Sequence, residues 1–212
     1  MKKSKKFSRK NDILESIARM LETLPGARIT TASIAREVGV SEAALYRHFP
    51  SKAKMFEGLI LFIEETLFVR INRIIAEEKS TEIKCQNILT LILTFFDRNP
   101  GMTRLLTGDV LAGETQRLRE RISQFYSRLD STLKQVFREA QIRENLETTI
   151  APACLSSLLL GVVEGRLIHF VRSEFNASPL EYWDTKWAFL RVNMMQPIVY
   201  EQIGRASCRE RV

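Results

Sequence analysis

Apolar residues recur every three or four positions along nearly the whole chain, Gly and Pro are sparse, and β-branched alternation is nearly absent. That pattern predicts an all-α fold with no strand. Ile13, Leu14, Ile17, Met20, Leu21 and Leu24 form one amphipathic helix, ended by Pro25-Gly26. A short second helix follows, capped by Thr30 or Thr31, with Ile34, Ala35 and Val38 inward and Gly39 as its stop. Ser41 caps a third helix that Pro50 ends, and Ser51 opens a long one, from Lys52 to about Lys79 and roughly 40 Å in length. The inward stripe of this long helix is Met55, Phe56, Leu59, Ile63, Leu67, Ile71 and Ile74.

Further helices are predicted over 81–97, stopped by the turn "RNPG", over about 102–111, over 114–141, over 148–174 and over 179–196. In 114–141 the residues Leu118, Ile122, Phe125, Leu129, Leu133, Val136 and Ala140 alternate steps of three and four, a coiled-coil-like stripe. In the next helix Ser157, Gly161 and Gly165 stand four residues apart, which reads first as ordinary core, with a face for helix packing or a dimer interface as the alternative. The runs at 87–96 and 154–163 fall short of the ~20 residues of a membrane span. Residues 199–212, ending "IGRASCRERV", continue no pattern and read as a cloning-derived or read-through tail.

The stretch 29–49, "ITTASIAREVGVSEAALYRHF", has the spacing of a helix-turn-helix. Ala35 is small where two helices cross, Gly39 suits a positive-φ turn, and Val40 and Leu45 bury the second helix on the first. Such a unit sets the start of its second helix against base edges while neighbouring groups grip phosphate. The candidate DNA-contacting residues are therefore Ser41, Glu42, Ala43 and Ala44 at that start, Tyr46, Arg47 and His48 beyond it, Thr30 and Thr31 at the first helix, and Lys52 at the next. One of Tyr46 and Phe49 must face the core, and Phe49 is the better choice.

Charge sharpens this picture. The net charge is +7, and residues 1–10 hold six bases and no acid, whereas residues 11–52 balance five against five and residues 53–200 eighteen against eighteen. A basic arm on a near-neutral body suits either solubility or phosphate contact. The arm leads into an amphipathic segment with Asp12, Glu15 and Arg19 and not into an apolar signal core, so a cytoplasmic location is expected. Three scattered cysteines, two histidines and no phosphate loop or nucleophile motif point to neither disulfides, metal site, cofactor nor enzyme.

The run "ITTASIAREVGVSEAALYRHFPSKAKMF" resembles the DNA-binding module of TetR-type regulators. Further stretches, "NDILESIARMLETL", "LFIEETLFVRINRI", "FDRNPGMTRLLTGD", "RLRERISQFYSRLDSTLKQVFRE" and "HFVRSEF", are similar in order to a nucleoid-occlusion branch of that family, over about residues 10–190. The resemblance implies a basic arm over 1–8, a DNA-binding domain over 9–67 and a helical dimerisation and partner-binding domain over 68–196. It also implies a homodimer on a palindromic DNA site, associated with the nucleoid, that engages the tubulin-like GTPase FtsZ and disrupts its polymers. The matching FtsZ-facing positions are Phe62, Arg70, Leu91, Arg98 and Asn99, with Thr94 where the family tends to carry Gly. By pattern alone, Phe62 and Leu91 read as core, Arg70 as an exposed charge and Arg98-Asn99 as a helix cap. The alternative function is a ligand-responsive repressor, against which the almost wholly aliphatic helix at 85–97 offers few polar groups to orient a ligand.

Overall fold

Hydroxyl side chains set four of the helix starts. In the computed structural model, which describes residues 4–23, 29–111 and 116–198, the oxygens of Thr30, Ser41, Ser51 and Ser80 accept the backbone N–H of Ser33, Ala44, Lys54 and Ile83 at 3.1 to 3.4 Å. Helix α1 (Ser4–Thr23) is followed by α2 (Thr31–Val38), α3 (Glu42–Tyr46), α4 (Lys52–Glu77), α5 (Thr81–Asp97) and α6 (Pro100–Leu106). The chain continues with α7 (Gln116–Arg143), strand β1 (Leu146–Thr148), α8 (Pro152–Arg172), α9 (Trp183–Arg191) and strand β2 (Met195–Pro197). The expected stop at Pro25-Gly26, the start of the long helix at 114 and the tail at 199–212 lie outside the described residues. The backbone of residues 4–8, within the expected basic arm, belongs to α1.

The choice of cap for α2 falls on Thr30. Its side chain accepts from Ser33 N–H while Ser33 Oγ accepts Thr30 N–H at 3.0 Å, a reciprocal box that leaves Thr31 inside the helix. Gly39 then turns left-handed at φ +73°, and Val40 N–H bonds back to Ala35 O at 2.9 Å. Helix α3 is shorter than Pro50 alone would allow. It ends at Tyr46, and His48 and Phe49 donate their N–H groups back to Leu45 O.

Two expectations need correction. Strands exist: β1 and β2 pair antiparallel with Glu147 opposite Gln196, flanked by Thr149 N–H to Met194 O at 3.1 Å and Ile198 N–H to Asn145 O at 3.2 Å. Thr148, Met195 and Gln196 were expected inside helices over 148–174 and 179–196, and Leu146, Glu147 and Pro197 beside their ends, but three-residue strands are too short to show alternation. Left-handed turns at Asn145 and Tyr182 and a proline at the first position of α8 shorten both helices. The second correction concerns α8, which at 21 residues and a mean hydropathy of 1.5 is by length and composition long and apolar enough to cross a membrane. Its inner face, Leu155, Leu159, Val163 and Leu167, instead joins the core beside α5 and α7.

That core is continuous. Ile17 and Leu21 of α1, Ile34 and Leu45 of the helix-turn-helix and Met55, Phe56 and Leu59 of α4 belong to the same cluster as Ile63, Leu67 and Ile71 further along α4. Every position of the α7 stripe is buried, as is all of the expected α4 stripe except half-buried Ile74. Cys85 sits in this core, and burial pushes its thiol up to about 12, so it stays a protonated packing group. Where α1 crosses α6, a Cβ placed on Gly101 would stand 1.9 Å from Ala18 O. Three residues on, Arg104 is buried with Nη1 donating to Leu21 O at 2.6 Å and Nε to Asp109 Oδ2 at 2.7 Å.

The small-residue face of α8 is not core. Ser157, Gly161 and Gly165 are exposed, and nothing lies within 4 Å of a Cβ built on either glycine. Leu158 and Ile168 flank them, and Phe189 of α9 and Val192 just past its end are exposed at 75% and 70%, so an apolar surface stands open on a single chain.

Candidate nucleic-acid interface and partner cleft

Leu45 and Phe49 anchor the short α3 in the core at 0% and 7% exposure, which turns Ser41, Glu42, Ala43, Tyr46 and Arg47 outward, with Ala44 and His48 half-buried. Tyr46, at 44%, is the exposed member of the Tyr46/Phe49 pair. Its hydroxyl lies 3.3 Å from Thr31 Oγ1, which in turn donates to Glu42 Oε2 at 3.0 Å. The structure thus brings Thr31, Glu42 and Tyr46 into one chain of hydrogen bonds across the two helices. Thr30 stands beside them as the cap.

Lys52 is placed differently from a free phosphate grip. Its ammonium donates to Ile29 O at 2.9 Å and lies 5.4 Å from the Phe56 ring, so its first task is to hold the chain that enters α2. Arg9 and Lys10, which were not among the expected DNA-contacting residues, are exposed on α1 beside α3. Lys10 Nζ lies 5.6 Å from the Phe49 ring, and Arg9 shares a cleft of about 220 Å³ with His48 and Ala44. The run of bases without acids was the signal for them; the spacing of the helix-turn-helix carried none.

A second, larger cleft of about 490 Å³ opens where α1 meets α4, α5 and α6. Phe62, Arg98 and Asn99 line it together with Leu14, Glu15 and Arg19 of α1. Phe62 is 39% exposed, which corrects its reading as core: α4 is apolar on more than one side, so period alone could not assign it. Arg98 caps α5 and is exposed, and Asn99 Nδ2 donates to Phe95 O at 2.6 Å, as the capping reading expected. Arg70 is exposed on α4 and Leu91 half-buried on α5; neither lines this cleft.

A short exposed recognition helix, a glycine turn and a long fourth helix that carries the unit into an all-helical body define a helix-turn-helix DNA-binding regulator. Residues 13–59 match the bacterial regulatory proteins of the tetR family, and residues 79–196 match the SlmA-like tetracyclin repressor-like C-terminal domain. The chain is 55% identical to nucleoid occlusion factor SlmA of Marinomonas sp. (strain MWYL1) over 91% of its own length and 98% of the relative's. It is 54% identical to SlmA of Shewanella pealeana over 92% and 100%. The chain belongs to the SlmA family of TetR-type nucleoid occlusion factors. Solved structures share the fold at lower identity: a TetR regulator from Haloarcula marismortui superposes at a TM-score of 0.75 with 20% identity, over 89% of this chain and 99% of that one. The fatty acid degradation regulator FadR from Bacillus halodurans superposes at 0.76 with 12% identity, over 86% and 94%.

Proposed function

We propose that this protein is a DNA-bound inhibitor of cell division, which as a homodimer holds a palindromic chromosomal site through α2 and α3 and there engages FtsZ and disrupts its polymers. The observation that carries the reading is the near-complete match to relatives named nucleoid occlusion factor. The exposed Phe62, aligned with Arg98 and Asn99 on an open cleft, supports it as the surface FtsZ meets. The apolar face of α8 and α9 supports the homodimer, because two copies would cover Leu158, Phe189 and Val192 together. With its DNA site on the chromosome, the protein works in the cytoplasm at the nucleoid. The repressor alternative is disfavoured by the filled interior of α5, where Cys85, Ile88, Leu89, Ile92 and Leu93 are each at most 1% exposed.

Sedimentation of FtsZ polymers tests the proposal. Polymer loss is expected when the protein and its DNA site are both present; no DNA-stimulated loss favours the repressor. Phe62→Ala is expected to abolish that loss while DNA binding and thermal stability stay near wild type, since substitutions of exposed residues usually shift stability by only about 0.5 kcal/mol. Deleting residues 1–8 is expected to flatten the salt dependence of DNA binding by about 0.9 in log–log slope for each phosphate that the segment neutralises. An unchanged slope removes that segment from the interface.

A further inference from the structure

Glu42 is the single acid among residues 41–49, and it sits on the face where a phosphate backbone would arrive. Arg9 and Asp12 share a cleft with Ala44 and His48, and exposed Arg47 follows one residue past the end of α3. A carboxylate there opposes binding to any DNA unless the duplex offers it a donor. Its geometry is also particular. Oε2 is held by Thr31 Oγ1 at 3.0 Å, and Tyr46 OH closes the chain behind Thr31, while Oε1 has no hydrogen-bond partner among the described residues. The adjacent Ala43 and Ala44 are short, so at the start of α3 the free carboxylate oxygen is the farthest-reaching polar group.

An ionised carboxylate accepts hydrogen bonds and donates none. On the major-groove edges, the donors are the exocyclic amines of cytosine and adenine, and glutamate pairs with cytosine N4; guanine O6 and N7 and thymine O4 would repel it. We infer that Glu42 is a specificity-determining residue that reads the N4 amine of a cytosine in each half-site and excludes other bases at that position. It trades general affinity for selectivity: the negative charge weakens binding to every sequence, and one base pair restores what is forgone. The inference rests on α3 being the DNA-reading helix, as proposed above.

Selection from a library of random DNA duplexes tests it, with the full-length protein and its Glu42→Gln and Glu42→Ala variants. Wild type is expected to enrich a palindrome with one cytosine held in each half-site. Both variants are expected to lose the preference at that pair alone, by roughly 5- to 100-fold, and to bind random-sequence duplex more tightly than wild type. An unchanged base preference in the variants overturns the inference. So does an even weakening across all sequences, which would make Glu42 a brace for Thr31 and Tyr46, and so does a missing preference that falls on adenine. Failure of the wild type to enrich any sequence would instead defeat the DNA-reading role of α3 itself.

Discussion

Gly101→Ala is expected to destabilise the protein by about 3 kcal/mol, the upper end of what overpacking costs, and to lower its melting temperature by roughly 6–12 °C for a chain of this size. The reason is geometric. The new methyl would stand 1.9 Å from Ala18 O, 2.9 Å from the carbonyl carbon and 3.1 Å from Glu22 N, so it meets helix backbone and no movable side-chain tip. Relief requires α1 and α6 to separate. Glu65→Ala is the control, because Glu65 is exposed on α4 and alanine is at least as good a helix former there, so little change is expected. A thermal melt in which the two variants unfold together would refute the close crossing of α1 and α6.

Arg104→Met should cost about 2–3 kcal/mol, and most of that loss belongs to a carbonyl, not to the ion pair. Asp109 is 43% exposed and turns to water when its partner goes. Leu21 O is one of the last carbonyls of α1, which have no partner within their own helix, and the guanidinium that serves it is itself buried. Asp109→Asn should therefore cost under about 1 kcal/mol, in the range of an exposed pair. Urea denaturation compares the two. Equal losses would mean that the pair, and not the carbonyl, ties α6 to α1. Hydrogen exchange in the last turn of α1 should also quicken in Arg104→Met before the rest of the chain opens.

Neither residue was legible as a structural hinge in the sequence. Gly101 read as part of a turn and Arg104 carried no signal of its own, because a hydrogen bond between residues 83 apart leaves no mark on local spacing. Where the determinants are local, the sequence pattern sufficed. The hydroxyl caps at Ser41 and Ser51, Gly39 between α2 and α3, and the stripe of α7 are set by residues within a turn or two of each other. Phe62 marks the boundary between the two cases: apolarity predicted burial, and only the packing of α1 against α4 and α6 left it on an open cleft. The β1–β2 ribbon is the same lesson at shorter range, since its pairing joins residues 47 to 51 apart and each strand supplies three side chains. The hydrogen-bonded trio of Thr31, Glu42 and Tyr46 was foreseen as three separate candidates; their connection was not.

The uninterrupted core along α4 bears on how variants of this protein are to be sorted. Met55 to Ile71 supplies apolar packing to the helix-turn-helix at one end and to α5 and α7 at the other. Calorimetry should accordingly show a single endotherm, with no early melting of the DNA-reading end. In a genetic screen, a damaging change at Leu93 or Phe125 would then mimic a defect in DNA recognition, because cellular abundance falls for the whole chain at once. Only an assay that divides binding by the amount of folded protein will separate alleles that touch DNA or a partner from alleles that thin the population.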